Sequence, residues 1–165
     1  MSELGHEGKL AEVYELYRTP LLRLARRILG NERDAEDAVQ DAVESIARNL
    51  ERLELPRSPR TRGYVMVITE RKAIDLLRAR RRQETEDLDE NAVSIDFPDA
   101  GEHSLASCMA KLPPRYREVL LLRFVYGYSM RETAELMGIP FTTVGKLSQR
   151  AKERLYEICR DAGIL

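Results

Sequence analysis

Five side chains between Thr142 and Arg150 carry the chemistry of groove reading. Thr142, Thr143, Lys146, Gln149 and Arg150 recur at helical spacing just after Gly138-Ile139-Pro140, so a helix following that turn presents them on its outer face. Short hydroxyls and a cation at the start of a second helix match what base edges in a major groove require. A second group is acidic. Glu36, Asp37, Gln40, Asp41 and Glu44 share one side of an expected helix; such a row reads first as plain solvation and becomes a docking face only with further support. A third is basic: Arg57, Arg60, Arg62, Arg71, Lys72, Arg78, Arg80, Arg81 and Arg82 crowd residues 57–82 against Glu70 and Asp75. Catalysis has no comparable footing. There is no Gly-rich phosphate loop, nucleophile signature or metal-ligand spacing, and His103 with Cys108 makes only two lone ligands. The expectation is a protein that is not an enzyme and needs no metal or cofactor.

Helices must position these groups. From Lys9 to Leu29, the residues Leu10, Val13, Tyr17, Leu21, Leu24 and Ile28 step by three and four, which predicts an amphipathic helix that Pro20 kinks or divides and Gly30 ends. Asp34 is placed to cap a second helix, whose stripe runs through Ala35, Ala38/Val39, Ala42/Val43, Ile46/Ala47, Leu50 and Leu53. Leu55-Pro56-Arg57-Ser58-Pro59 reads as a loop, because two prolines so close resist helix and strand alike. A third helix follows from about Arg62 to Arg82, with Tyr64, Val67, Ile68, Ile74 and Leu77 inward. Glu70 and Arg71 interrupt that stripe, implying either a buried pair or an exposed working surface. Residues 83–107 lose all periodicity and read as a largely flexible acidic linker. Leu112-Pro113-Pro114 reopens helical sequence to about Phe124, and Ser129 with Glu132 forms a capping box for the next helix. Ala134, Gly138 and Val144 then fit a helix-turn-helix: a small residue at the crossing, a left-handed glycine in the turn, and an apolar tie. A pair of helices around a Gly turn is also a common structural corner; the basic balance of the block favours DNA.

The chain has 165 residues, 6% aromatics, no Trp and 33% charged side chains. A core of Leu, Ile, Val and Ala suits an all-α fold. The expected architecture is two small helical domains, 1–82 and 108–165, joined by the linker 83–107. A net charge of −1 hides strong segregation, since two basic blocks flank an acidic spacer and suggest two contacts with a polyanion. Cys108 and Cys159 cannot form a disulfide framework and read as reduced, buried thiols. The first residues lack a signal-peptide pattern, and no stretch approaches the ~18 apolar residues of a membrane span. A cytoplasmic location without membrane insertion is the expectation.

Three stretches together carry a resemblance. DAEDAVQDAVESI, GYVMVITERKAIDLLR and LPPRYREVLLLR…SMRETAELMGIPFTTVGKLSQRAKERL, in this order and with an acidic spacer, resemble bacterial sigma factors of the small extracytoplasmic-function (ECF) type. The resemblance covers about residues 9–82 and 109–158. It implies a dissociable specificity subunit of RNA polymerase, with sigma region two followed by region four. Asp37, Gln40 and Asp41 would grip the coiled coil of the β′ subunit, and the β flap and promoter DNA would be further partners, with an anti-sigma factor as a regulatory one. Tyr64, Arg71, Lys72, Arg78 and Arg81 would handle the melted downstream (minus-ten) element, Tyr64 either stacking on a base or packing in the core. Arg71 stands where the family commonly has Asn. Thr142, Thr143 and Lys146 would meet bases of the upstream (minus-thirty-five) duplex, and Arg150 a phosphate. Gly145, Leu147 and Ser148 depart from the usual recognition helix. Two other readings compete. An ordinary operator-binding regulator has no reason to carry the acidic motif with its basic neighbour, and a sigma-shaped decoy for an anti-sigma protein would not support transcription.

Overall fold

In a computed structural model the chain is described over residues 3–83 and 104–164. Every element among those residues is helical, and the chain divides into two compact units at residues 87 and 88.

The N-terminal unit is a three-helix bundle of α1 (Glu3–Leu29), α2 (Glu32–Arg48) and α3 (Pro59–Gln83), with a short 3-10 turn at Leu50–Arg52. Val13, Tyr17, Leu21 and Leu24 of α1 meet Ala35, Ala38, Ala42 and Ile46 of α2 and Val65, Ile68 and Ile74 of α3 in the core. The alanine stripe of α2 lets its neighbours approach closely. The expected division at Pro20 does not occur: α1 is one uninterrupted helix. Pro20 is exposed, so water can serve the carbonyl it leaves without a donor, while Tyr17 and Leu21 tie both halves to the same core. Gly30, at φ +82°, then ends α1.

Asn31, rather than Asp34, caps α2, accepting the Asp34 N–H at 2.9 Å. Asp34 is thereby moved into the first turn, where its carboxylate meets Arg80 of α3 at 3.1 Å. The Asn31 side chain first, and Arg80 with it, hold the Asp34 carboxyl below its ordinary range. The stripe predicted through Leu53 outlasts the helix, with Leu50 and Leu53 buried beyond its end. Lys9 Nζ donates to the carbonyls of Leu50 and Leu53 at 3.0 and 2.7 Å, and the Tyr17 hydroxyl donates to Pro56 O at 2.6 Å. The loop is therefore pinned to α1. α3 starts earlier than the periodicity predicts, because Pro59 fits a first helical position and Ser58 Oγ accepts the Thr61 N–H at 3.1 Å.

The C-terminal unit contains α4 (Leu105–Ala110), α5 (Pro114–Leu120) running into a π turn (Leu121–Val125), α6 (Met130–Met137) and α7 (Phe141–Asp161). α4 begins in sequence expected to be linker and ends inside the expected domain; residues 84–103 of that linker fall outside the described residues. Six residues are too few to show a period, but Ser104 caps them by accepting the Ser107 N–H at 3.1 Å. Fully buried Arg117 secures the other end, donating through Nη1 to the carbonyls of Ala110 and Leu112 at 3.2 and 3.0 Å. Cys108, the one buried residue of α4, lies beside the buried Cys159 of α7. Both thiols are free, and burial pushes the Cys159 thiol up.

The predicted helix-turn-helix is formed by α6 and α7. Ser129 and Glu132 close a full capping box, and Gly138 ends α6 at φ +68°. Ala134 and Val144 are buried where the two helices cross, and the Ile139 N–H returns to Ala134 O at 3.0 Å. Ile139, in the turn itself, is half-buried.

Candidate polymerase and nucleic-acid interfaces

On α2, Ala35, Ala38, Val39 and Ala42 turn inward, while Glu36, Asp37, Gln40, Asp41 and Glu44 are exposed. Asp37 and Asp41 lie one turn apart, and among the described residues neither is held in an ion pair. The row is thus an uncommitted set of acceptors on a helix whose opposite face is fixed in the bundle.

The basic helix α3 divides its cations between structure and surface. Arg80 is bound to Asp34, and Arg60 to Glu54 at 2.8 Å. Arg71 and Arg78 are half-buried and each already interacts within the chain. Their seven-residue spacing puts them on one side of the helix, with Lys72 and Arg81 flanking that side by about a quarter turn either way. Exposed Asp75 lies on the same side. The face is therefore mixed rather than uniformly positive.

Tyr64 departs from the basic surface altogether. Its ring is 1% exposed, and its hydroxyl accepts from Asn49 Nδ2 at 3.1 Å. A ring so enclosed offers no face to a base in this conformation. Of the two roles the sequence left open, packing is the one seen.

On α7, the inner stripe of Val144, Leu147, Ser148, Ala151 and Ile158 is buried. That leaves Thr142, Lys146, Gln149 and Arg150 exposed and Thr143 half-buried. Gln149 donates to Glu153 at 3.2 Å, so an acid stands one turn beyond Gln149 on the same face. Gly145 faces α6 closely: a Cβ there would lie 3.3 Å from the Met130 terminal methyl. The N-terminal half of the helix presents the donors and acceptors, and its far half is more balanced in charge.

Two features escaped the sequence reading. One is an apolar groove of about 500 Å³, lined by Leu105 and Met109 of α4, Leu120 and Phe124 farther on, and Lys152 and Leu155 of α7. Part of its wall comes from a helix too short to predict and from residues past the regular end of α5. The other is Phe141, half-exposed at the first position of α7. Its signal, an apolar residue outside the inner stripe, was present in the sequence.

These surfaces belong to a recognisable whole. Sigma-70 region 2 matches residues 13–83, and sigma-70, region 4 matches residues 102–155. The chain is 32% identical over 163 residues to the RNA polymerase sigma-E factor of Streptomyces coelicolor, covering 93% of this chain and 90% of that protein. It is 34% identical over 141 residues to the RNA polymerase sigma factor SigV of Bacillus subtilis, covering 81% and 76%. The ECF RNA polymerase sigma factor SigW of Bacillus subtilis matches at 25% identity over 95% of this chain and 92% of its own length. The chain belongs to the sigma-70 family, among its ECF members. It is accordingly a transcription initiation factor that binds core RNA polymerase and directs it to promoter DNA. No helix among the described residues is long and apolar enough to cross a membrane.

Proposed function

We propose how the surfaces divide that work. The row Asp37, Gln40 and Asp41 docks on the β′ coiled coil, where carboxylates and an amide accept from arginines of the facing helices. Lys72 and Arg81, with Arg78 and Arg71 beside them, hold phosphates of the melted downstream element. Tyr64 supports that face from within. Thr142, Thr143 and Lys146 meet base edges of the upstream duplex, and Arg150 holds its backbone. The apolar groove beside α4 takes an apolar segment of the β flap, since a concave surface of this size lined by Leu, Met and Phe suits a helix with its own apolar face.

Residues 1–82 and 108–165 act as the two working domains, spaced by 83–107. The chain works in the cytoplasm with its polymerase and carries out no reaction of its own. The observation that carries this reading is the pairing, on one bundle, of an uncommitted acidic row with a basic neighbouring helix. An ordinary operator-binding regulator would gain nothing from the acidic row.

Transcription from a random promoter library, using purified core polymerase and this chain, tests the reading. Initiation at a defined pair of upstream and downstream elements is expected. Binding to core without initiation on any sequence would instead favour the decoy.

A further inference from the structure

Phe141 is 50% exposed at the first position of α7, the end of a recognition helix that reaches base edges. The ring is braced: the Arg131 guanidinium of α6 stands 5.9 Å from its centroid. Ring and guanidinium border a shallow depression that also includes Ala134, Glu135, Gly138 and Pro140. Arg131 occupies the second position of α6, the helix that crosses the sugar–phosphate backbone when its partner enters the major groove. An apolar ring on the reading helix and a cation on the crossing helix therefore stand side by side.

A phenyl ring can neither donate nor accept a conventional hydrogen bond, so it cannot read most of the major-groove pattern. The one apolar group on that edge is the thymine 5-methyl. A guanidinium held over the ring keeps its full charge for a phosphate and restrains the ring at the same time. Glu135, in the same depression, already interacts within the chain.

We propose that Phe141 reads a thymine 5-methyl group in the upstream duplex, while Arg131, braced on its ring, anchors a neighbouring phosphate. This rests on the upstream-duplex reading given above and adds a specificity-determining pair to it.

The test uses holoenzyme assembled from core polymerase and the full chain. Upstream sequences are first selected from a random library, and each enriched thymine is then replaced singly by deoxyuridine, which pairs identically but lacks the methyl. With the wild-type chain, one position should weaken by about fourfold, the value of one buried methyl. Phe141→Ala should abolish that penalty while leaving the other positions unchanged, and Phe141→Leu should keep part of it. Arg131→Ala should weaken all upstream sequences alike and lower the salt dependence by about one counterion. Unchanged helicity of each variant, by circular dichroism, confirms that folding is not the cause. If no upstream sequence is enriched, the broader reading of α7 falls and this pair with it. If sequences are enriched but none contains a methyl-sensitive thymine, or the penalty persists in Phe141→Ala, the inference alone is overturned.

Discussion

Removing the Tyr64 hydroxyl tests the hydrogen bond that joins it to Asn49 in the N-terminal bundle. The ring is enclosed at 1% exposure, and its oxygen accepts from Asn49 Nδ2 at 3.1 Å. In Tyr64→Phe the Asn49 amide loses that acceptor but keeps Ser45 O, at 3.2 Å. The cost is therefore one ordinary hydrogen bond, about 1 kcal/mol, rather than that of a stranded buried donor. That corresponds to about fivefold faster amide exchange in α2 and α3 where exchange needs the bundle to open. Exchange followed by mass spectrometry of peptides from the full chain reads this directly, with α7 as internal control. Tyr64→Ala removes the whole ring and should cost about 3–5 kcal/mol, much of a small domain's stability. Tyr64→Leu separates packing from stacking, since it keeps apolar bulk and loses the aromatic face. If a base stacked on Tyr64 in the open complex, the leucine variant would lose about 1–3 kcal/mol there. Packing instead predicts wild-type binding of holoenzyme to a template already melted at the downstream element. The reasoning fails if Tyr64→Phe leaves exchange unchanged, or if Tyr64→Leu loses the melted template while its bundle stays protected.

Charge reversal by Asp37→Lys should weaken binding to core polymerase, measured by competition for core, and change stability by less than about 0.5 kcal/mol because the side chain is exposed; unfolding would make the residue structural instead. Lys146→Ala should alter which upstream sequences holoenzyme selects, costing about 1–3 kcal/mol at one base, whereas Arg150→Ala should weaken all sequences and flatten the salt dependence by about one counterion. Equal losses on every sequence for both would reduce Lys146 to a phosphate anchor. Thr133 is fully buried, and its hydroxyl has no hydrogen-bond partner among the described residues. Thr133→Val should thus stabilise the C-terminal domain by about 1 kcal/mol in a urea melt, and a loss of similar size would show that the hydroxyl is satisfied.

Where periodicity was long, the sequence foretold the structure well. The stripe of α2, the left-handed Gly138 and the Ser129–Glu132 capping box need only local spacing and side-chain type, and they stand where those rules put them. The misses share a different cause. Pro20 left α1 intact because burial of Tyr17 and Leu21 on both sides outweighs one lost hydrogen bond, and that burial is a tertiary fact. Asn31 displaced Asp34 as cap because Arg80, 46 residues away in sequence, gives the Asp34 carboxylate another partner. α4 went unseen because its six residues depend on the buried Arg117 to complete their carbonyl end. Tyr64 stayed ambiguous for the same reason, since only the position of Asn49 shows that its hydroxyl is satisfied inside.

A net charge of −1 suits this protein better than a basic surface would. On the proposed assignment the downstream face offers Lys72, Arg78 and Arg81, and the upstream face Arg131, Lys146 and Arg150. Each set neutralises only a few phosphates, so counterion release gives either domain weak binding at physiological salt. The acidic row on α2 adds repulsion from DNA for as long as it is uncovered. Docking on polymerase removes that repulsion and turns two weak contacts into one linked contact, with the second made at high effective concentration. On that assignment the carboxylates proposed to bind the enzyme also bias the free chain against DNA, and promoter recognition becomes a property of the assembly rather than of the isolated factor.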